Sequence, residues 1–176
     1  PVQVVERVEV SDELSGGKLA TEYRYHHGYW DGAEREFRGF GMVEQLDTEI
    51  FDGYAGRGLP GNDAQLDRLR AQRMFSPPLL TRTWFHQGPV GPEYGDWVEQ
   101  DCSSEFWPDD TQLLDHKPGL DAFLASLPNR RLRRDALRAL RGSILRTELY
   151  ALDGSDREGR PYTVTESAYA LKEIRS

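Results

Sequence analysis

Alternation of apolar and polar residues at a period of two runs through both ends of this chain and narrows its fold more than any other pattern in it. Val2, Val4, Val8 and Val10 alternate with polar neighbours. Such a set scatters around a helix but lines one face of a half-buried strand. After the turn signal Gly16-Gly17, Leu19, Thr21, Tyr23, Tyr25, His27 and Tyr29 share one face, while Lys18, Glu22, Arg24 and His26 share the other. Asp31-Gly32 reads as a hairpin turn, because both residues tolerate the positive φ of primed turns. Glu34 to Leu46 returns as a strand with a phase slip. Phe37 falls on one face and Phe40, Met42 and Leu46 on the other, and Gly39 or Gly41 would accommodate a bulge between them.

The remaining segments follow in order. Residues 52–78 hold a glycine-rich loop, then a weak helix carrying Leu66, Leu69 and Met74, capped by Asn62 and ended by Pro77-Pro78. Residues 79–87 read as a strand. Residues 88–128 are irregular and acidic, with nine carboxylates against Lys117 between Glu93 and Asp121, and end in a short helix carrying Leu120, Phe123, Leu124 and Leu127. Residues 129–142 form a basic helix with Leu132, Ala136, Leu137 and Leu140 as its apolar stripe and Gly142 as its C-cap. Residues 143–174 close the chain as a final hairpin linked by Asp153 to Arg160. The expected fold is α+β and β-dominated: one domain over residues 1–176, an antiparallel sheet of long hairpins with a short helical insertion before the last.

Composition excludes several classes. Four Trp, eight Tyr and seven Phe supply large faces to bury, which argues against disorder. No apolar run approaches the roughly 20 residues that span a bilayer. Cys102 is the only cysteine, so no internal disulfide or paired-cysteine zinc site can form. A net charge of −8 argues against nucleic acid and anionic membranes as partners. The chain opens at Pro1 without an initiator Met or signal-like segment, as an excerpt from a longer protein would.

No motif assembles a catalytic or cofactor set. Gly56-x-Gly58-x-x-Gly61 matches a dinucleotide fingerprint, but that mechanism needs a parallel βαβ unit, and here a hairpin strand precedes it and Pro60 interrupts it. Glu34-x-Glu36 places two carboxylates on one strand face, as some ADP-ribosyltransferases do, but their upstream Ser-Thr-Ser-like strand is missing. A solvated face with Arg35 and Arg38 as ion-pair partners accounts for the pair. His26 and His27 are adjacent on a strand and point apart, His86 and His116 lie far off, and Asp109-Asp110 lacks calcium-loop spacing. A metal site would need residues distant in sequence to converge in the fold. Gln100, Asp101 and Glu105 would raise the pKa of Cys102 and make it a poor nucleophile.

Arg130, Arg131, Arg133, Arg134, Arg138 and Arg141 crowd one helix against the single acid Asp135. A phosphate-binding face is one reading, with Arg130, Arg131 and Arg134 as the interaction residues. Pairing with the acidic segment just before the helix, or with another domain, suits the net charge better. Tyr23, Tyr25, Tyr29 and Trp30 would serve a sugar- or base-stacking surface, or a sheet face covered by a neighbour.

The run from Tyr25 through Gly28, Asp31, Arg35, Glu36, Phe37, Arg38, Gly39 and Phe40 to Glu44 resembles a signature of the B component of Tc insecticidal toxin complexes, the SpvB-like, Rhs-related proteins. Similar blocks follow in the family's order at Leu80–His86, Leu137–Gly142, Leu145–Tyr150 and Pro161–Glu166. The resemblance implies a middle-to-C-terminal B-component segment within a hollow β-sheet shell. That shell is built with an Rhs-type C component, encloses a toxic effector and delivers it through a pore-forming A component. It implies secretion after synthesis in the cytoplasm, a structural role, no cofactor, and no catalytic, cofactor-binding or metal-binding residue. Glu34-x-Glu36 then belongs to the shell signature, with Arg35, Glu36 and Arg38 as a cross-strand ladder worth about 0.2–1 kcal/mol per pair. A glycan- or polyanion-binding module, using the Tyr/Trp hairpin or the arginine helix, is the alternative.

Overall fold

The computed structural model describes residues 2–11, 17–51, 76–91 and 98–174. The glycine fingerprint Gly56 to Gly61, the weak helix after Asn62, Glu93 and most of the Gly16-Gly17 turn lie outside the described residues. Six strands form one antiparallel sheet in chain order: β1 (Arg7–Ser11), β2 (Gly17–His26), β5 (Met42–Phe51), β6 (Leu79–Phe85), β7 (Ile144–Ala151) and β8 (Thr163–Glu166). Between β2 and β5 the chain makes a small two-stranded excursion, β3 (Trp30–Asp31) and β4 (Glu36–Phe37). A 3-10 turn at Ser103–Glu105 and two helices, α1 (Leu120–Ser126) and α2 (Arg130–Arg138), separate β6 from β7. The expected architecture, β-dominated with the helices before the last hairpin, is the one observed.

Register explains the sheet's polar character. Glu44 lies opposite both Arg24 and Arg82, Arg82 opposite Glu148, and Arg146 opposite Glu166, so opposite charges alternate from strand to strand. The Arg82 Nε donates to Glu44 at 3.0 Å. At Arg146 the ladder is sealed: its guanidinium donates to Glu148 at 2.7 Å, Asp110 at 2.8 Å and Glu166 at 2.9 Å. Phe106 lies beneath it at 4.8 Å in cation–π contact, and both Arg146 and Glu148 are fully buried. A register shift between Trp84 and Phe85 leaves Leu145 unpaired. Leu145 then joins Met42, Trp84, Cys102 and Phe106 in one apolar cluster. Leu120, Leu137 and Leu140 form a second, against which Leu124, Tyr169 and Leu171 pack.

Several expectations need correction. Val8 and Val10 are exposed, as is every residue of β1, an edge strand. The first hairpin is not one continuous pair. β2 stops at His26, because His27 adopts φ 57°, and β5 starts only at Met42. Asp31-Gly32 is no two-residue turn: residues 32–35 form the turn, and Arg35 takes the left-handed φ of 53°. The Asp31 side chain fixes it, accepting from the backbone N–H of Ala33 and Glu34.

Phe37 and Phe40 do not face apart across one strand. The backbone bends at Gly39, whose φ of 97° suits glycine, and the two rings meet edge to face at 5.0 Å. In α2 the stripe is rotated, with Leu132 exposed and Arg134 buried beside Leu137. Asn129 caps its start through Leu132 N–H, and the helix ends at Arg138 rather than at Gly142. Of the closing strand expected over Tyr162 to Ile174 only Thr163–Glu166 pairs, and Tyr169 instead packs back on the helices.

Candidate functional site

The excursion between β2 and β5 projects from the sheet, and α2 with its following turn closes over it. Asp31 and Glu36 face one another across the β3–β4 pair, so their carboxylates converge. Arg38 reaches back between them, donating to Asp31 at 2.9 Å and to Glu36 at 3.1 Å. From about a hundred residues downstream, Arg134 pairs with Asp31, and with Glu34 at 3.2 Å. Arg138 donates to Glu36 at 2.6 Å, and Arg141 also binds Glu36. Arg141 goes further and grips the backbone carbonyls of Arg38 at 3.1 Å and Phe37 at 2.8 Å.

Burial makes this a lock rather than a surface lattice. Asp31 is 4% exposed, Arg38 2% and Arg134 5%. Burial alone would raise the Asp31 pKa. The Arg38 hydrogen bond, the Glu34 N–H and the nearby Arg134 and Arg38 charges outweigh it and hold the carboxyl below its usual range.

The expected ladder of Arg35, Glu36 and Arg38 is therefore redrawn. Glu36 is held by three guanidinium groups, two of them from the helix region, while Arg35 occupies the left-handed turn position. Pairing between the arginine helix and internal acids is real, but the acids are those of the excursion. The acidic segment sends Asp110 to Arg146, Glu105 to His27, and Glu99 to His86 and Lys117. Arg134 is buried in the lock, which leaves Arg130 and Arg131 as the exposed members of the expected interaction trio. Arg130, Arg133 and Arg134 border a cavity of about 300 Å³ with Asp121.

The aromatic hairpin is partly internal. Tyr25 packs on Phe40 at 4.8 Å and donates to the Val5 carbonyl, and Tyr29 donates to the Gly91 carbonyl. Trp30 stays exposed, and Gly28 lies against the Phe40 ring.

A second constellation was not legible as a site. His27, Cys102 and Glu105 present ligand atoms within 4.8 Å of one another. His27 Nε2 lies 2.7 Å from Glu105 Oε1, and Trp84 Nε1 donates to Glu105 Oε2 at 3.2 Å. Burial, then Glu105 and Asp101, push the Cys102 thiol up to about 11, the direction its acidic neighbours implied. The spacing Cys102-x-x-Glu105 was a local signal, since residues three apart eclipse on a 3-10 turn. Nothing in the sequence pointed from that pair to His27.

Comparison with known proteins places this geometry. The family model for the insecticide toxin TcdB middle/N-terminal region matches residues 1–53, and that for the TcdB middle/C-terminal region matches residues 135–176. Those two stretches hold the excursion and, of the downstream arginines that clamp it, Arg138 and Arg141. No curated protein sequence matches the chain. Among solved structures, the TcdB2-TccC3-Cdc42 crystal structure is 34% identical over 94% of this chain, with a TM-score of 0.65. The Tc holotoxin pore of Photorhabdus luminescens is 34% identical over 91%, with a TM-score of 0.62. The TcdB2-TccC3 structure is 30% identical over 96%, with a TM-score of 0.53. The chain spans about 7% of the length of each of these relatives. On these matches and the fold they share, the chain belongs to the B-component family of Tc insecticidal toxins, within its middle region.

Proposed function

We propose that this chain is a non-catalytic wall segment of a Tc-toxin B component, one folded unit of the β-sheet shell that encloses a toxic effector. In this reading its neighbours are the other domains of the parent protein and an Rhs-type C component. The relatives' structures with TccC3 support that pairing, and the holotoxin pore supports a pore-forming A component as the further partner. Secretion as part of the toxin complex follows from the same assembly.

The observation that carries the reading is the fate of the charged groups at the excursion. Asp31, Glu34 and Glu36 are each bound by arginine, and Glu36 by three of them. A general acid or base needs a carboxylate oxygen free to reach a substrate, and the Glu36 oxygens are taken up by Arg38, Arg138 and Arg141. An exposed valine-bearing edge at β1 is what a sheet continued by a neighbouring strand presents.

The test compares intact B component with its Glu36→Gln variant. Assembly with the C component is expected in both, with lower thermal stability in the variant and no NAD glycohydrolase or ADP-ribosyl transfer in either. Such an activity, present in the parent and lost in Glu36→Gln, would overturn the proposal. Heparin retention abolished by Arg130→Ala with Arg131→Ala would favour polyanion binding instead.

A further inference from the structure

We infer that His27, Cys102 and Glu105 form a binding site for a divalent transition-metal ion of the zinc type, with a fourth coordination position open to a cavity. The three residues come from separate parts of the chain. His27 leaves the end of β2 with φ 57°, a conformation stabilised where its carbonyl accepts from Gln87 Nε2 at 2.5 Å. Cys102 and Glu105 bracket the 3-10 turn, closed by the Glu105 N–H to the Cys102 carbonyl at 3.0 Å. A turn of three residues puts both side chains on the same side, towards His27.

Tetrahedral zinc with one nitrogen, one sulfur and one oxygen ligand sets donor separations of about 3.3–3.6 Å, from bond lengths near 2.0–2.3 Å. The observed atoms all fall within 4.8 Å of one another, and His27 Nε2 and Glu105 Oε1, 2.7 Å apart, would need to open to admit the ion.

The surroundings match a metal site on two further points. Trp84 holds the free oxygen of Glu105, an outer hydrogen bond of the kind that orients a ligating carboxylate. Met42, Trp84 and Phe106 form the apolar wall around Cys102, which excludes water from the sulfur side. The other side opens on a cavity of about 310 Å³ lined by His26, Glu44 and Arg82 as well as the ligands His27 and Glu105. Charge balances: a thiolate and a carboxylate neutralise a dication, and the thiol proton leaves to solvent as the metal–sulfur bond forms. Imidazole with thiolate selects zinc over calcium or magnesium.

The test is metal content and Co²⁺ spectroscopy of the intact protein, against Cys102→Ala, His27→Gly and Glu105→Gln. Glycine at position 27 fits the positive φ, so metal loss there cannot be blamed on backbone strain. One zinc per chain is expected in the parent and none at this site in Cys102→Ala, with zinc affinity at least about tenfold weaker in the other two. The Co²⁺ form should show a thiolate-to-metal charge-transfer band that vanishes in Cys102→Ala. Equal zinc content in parent and variants, all folded by circular dichroism, would overturn the inference. So would a Co²⁺ spectrum without the thiolate band, leaving His27 and Glu105 in simple polar contact.

Discussion

Replacing Asp31 by Asn tests the lock between excursion and helix with little change of shape. The amide keeps the oxygen that accepts from Ala33 and Glu34, so the turn itself survives. What disappears is the negative charge between Arg38 and Arg134, both nearly fully buried. Removing one partner of a buried ion pair leaves uncompensated charge and destabilises by about 3–5 kcal/mol. Each guanidinium here retains a second carboxylate, Glu36 at 3.1 Å for Arg38 and Glu34 at 3.2 Å for Arg134. The lower end applies, about 3 kcal/mol, more than a hundredfold in the folded-to-unfolded ratio.

Urea unfolding of parent and variant measures this as a shift in midpoint at unchanged slope. The pH dependence adds a second reading. A carboxyl depressed in the folded state binds its proton more tightly when unfolded. Its stabilisation is therefore complete above the unfolded value near 3.9 and is lost as pH falls through the lower folded value. Asp31→Asn should flatten that acid limb. A loss under about 1 kcal/mol, the value of a solvent-exposed pair, with an unchanged acid limb would refute the argument that this is a buried lock.

Three further outcomes follow from the core and the turns. Tyr150→Phe removes the hydroxyl that donates to Glu148 at 2.5 Å, leaving a fully buried carboxylate oxygen without that partner. A loss of about 1.5–3 kcal/mol in urea unfolding is expected. Gly39→Val forces a β-branched residue to φ 97°, and about 1–3 kcal/mol of backbone strain should appear as a lowered melting temperature. With its thiol pushed up to about 11, Cys102 should be alkylated by iodoacetamide at pH 8 about a hundredfold more slowly in the folded protein than in urea, chelator being present in both. Equal rates would show the thiol to be neither buried nor acid-flanked.

Alternation made the strands legible, because a side chain's face on a strand depends only on the parity of its position. That is why β2 falls on the alternation of Leu19 to Tyr25, while β5 shares only Met42 to Leu46 with the strand expected over Glu34 to Leu46, and β6 and β7 lie within the segments 79–87 and 143–174 expected to be extended. Helices α1 and α2 were legible in the same way from their leucines, although the α2 stripe was misjudged. An arginine side chain is long enough to bury beside Leu137 once a carboxylate waits for it, and hydrophobic spacing alone ranks Leu132 above Arg134. The breaks at His27 and Arg35 were not legible either, since each is a left-handed residue held by distant or side-chain hydrogen bonds rather than by glycine.

Sequence alone determined the strand-rich class, the position of the helical insertion and the charge imbalance that had to be neutralised inside the fold. Only tertiary structure decided which charges meet. Arg134, Arg138 and Arg141 find Asp31, Glu34 and Glu36 across about a hundred residues, and Cys102 and Glu105 find His27 across a shorter but still distant gap. The physical reason is range. Periodicity is set by local backbone geometry and is written in neighbouring residues. Ion pairs and ligand sets depend on which surfaces the folded sheet brings within a few ångströms, and many pairings of like composition satisfy the same chain.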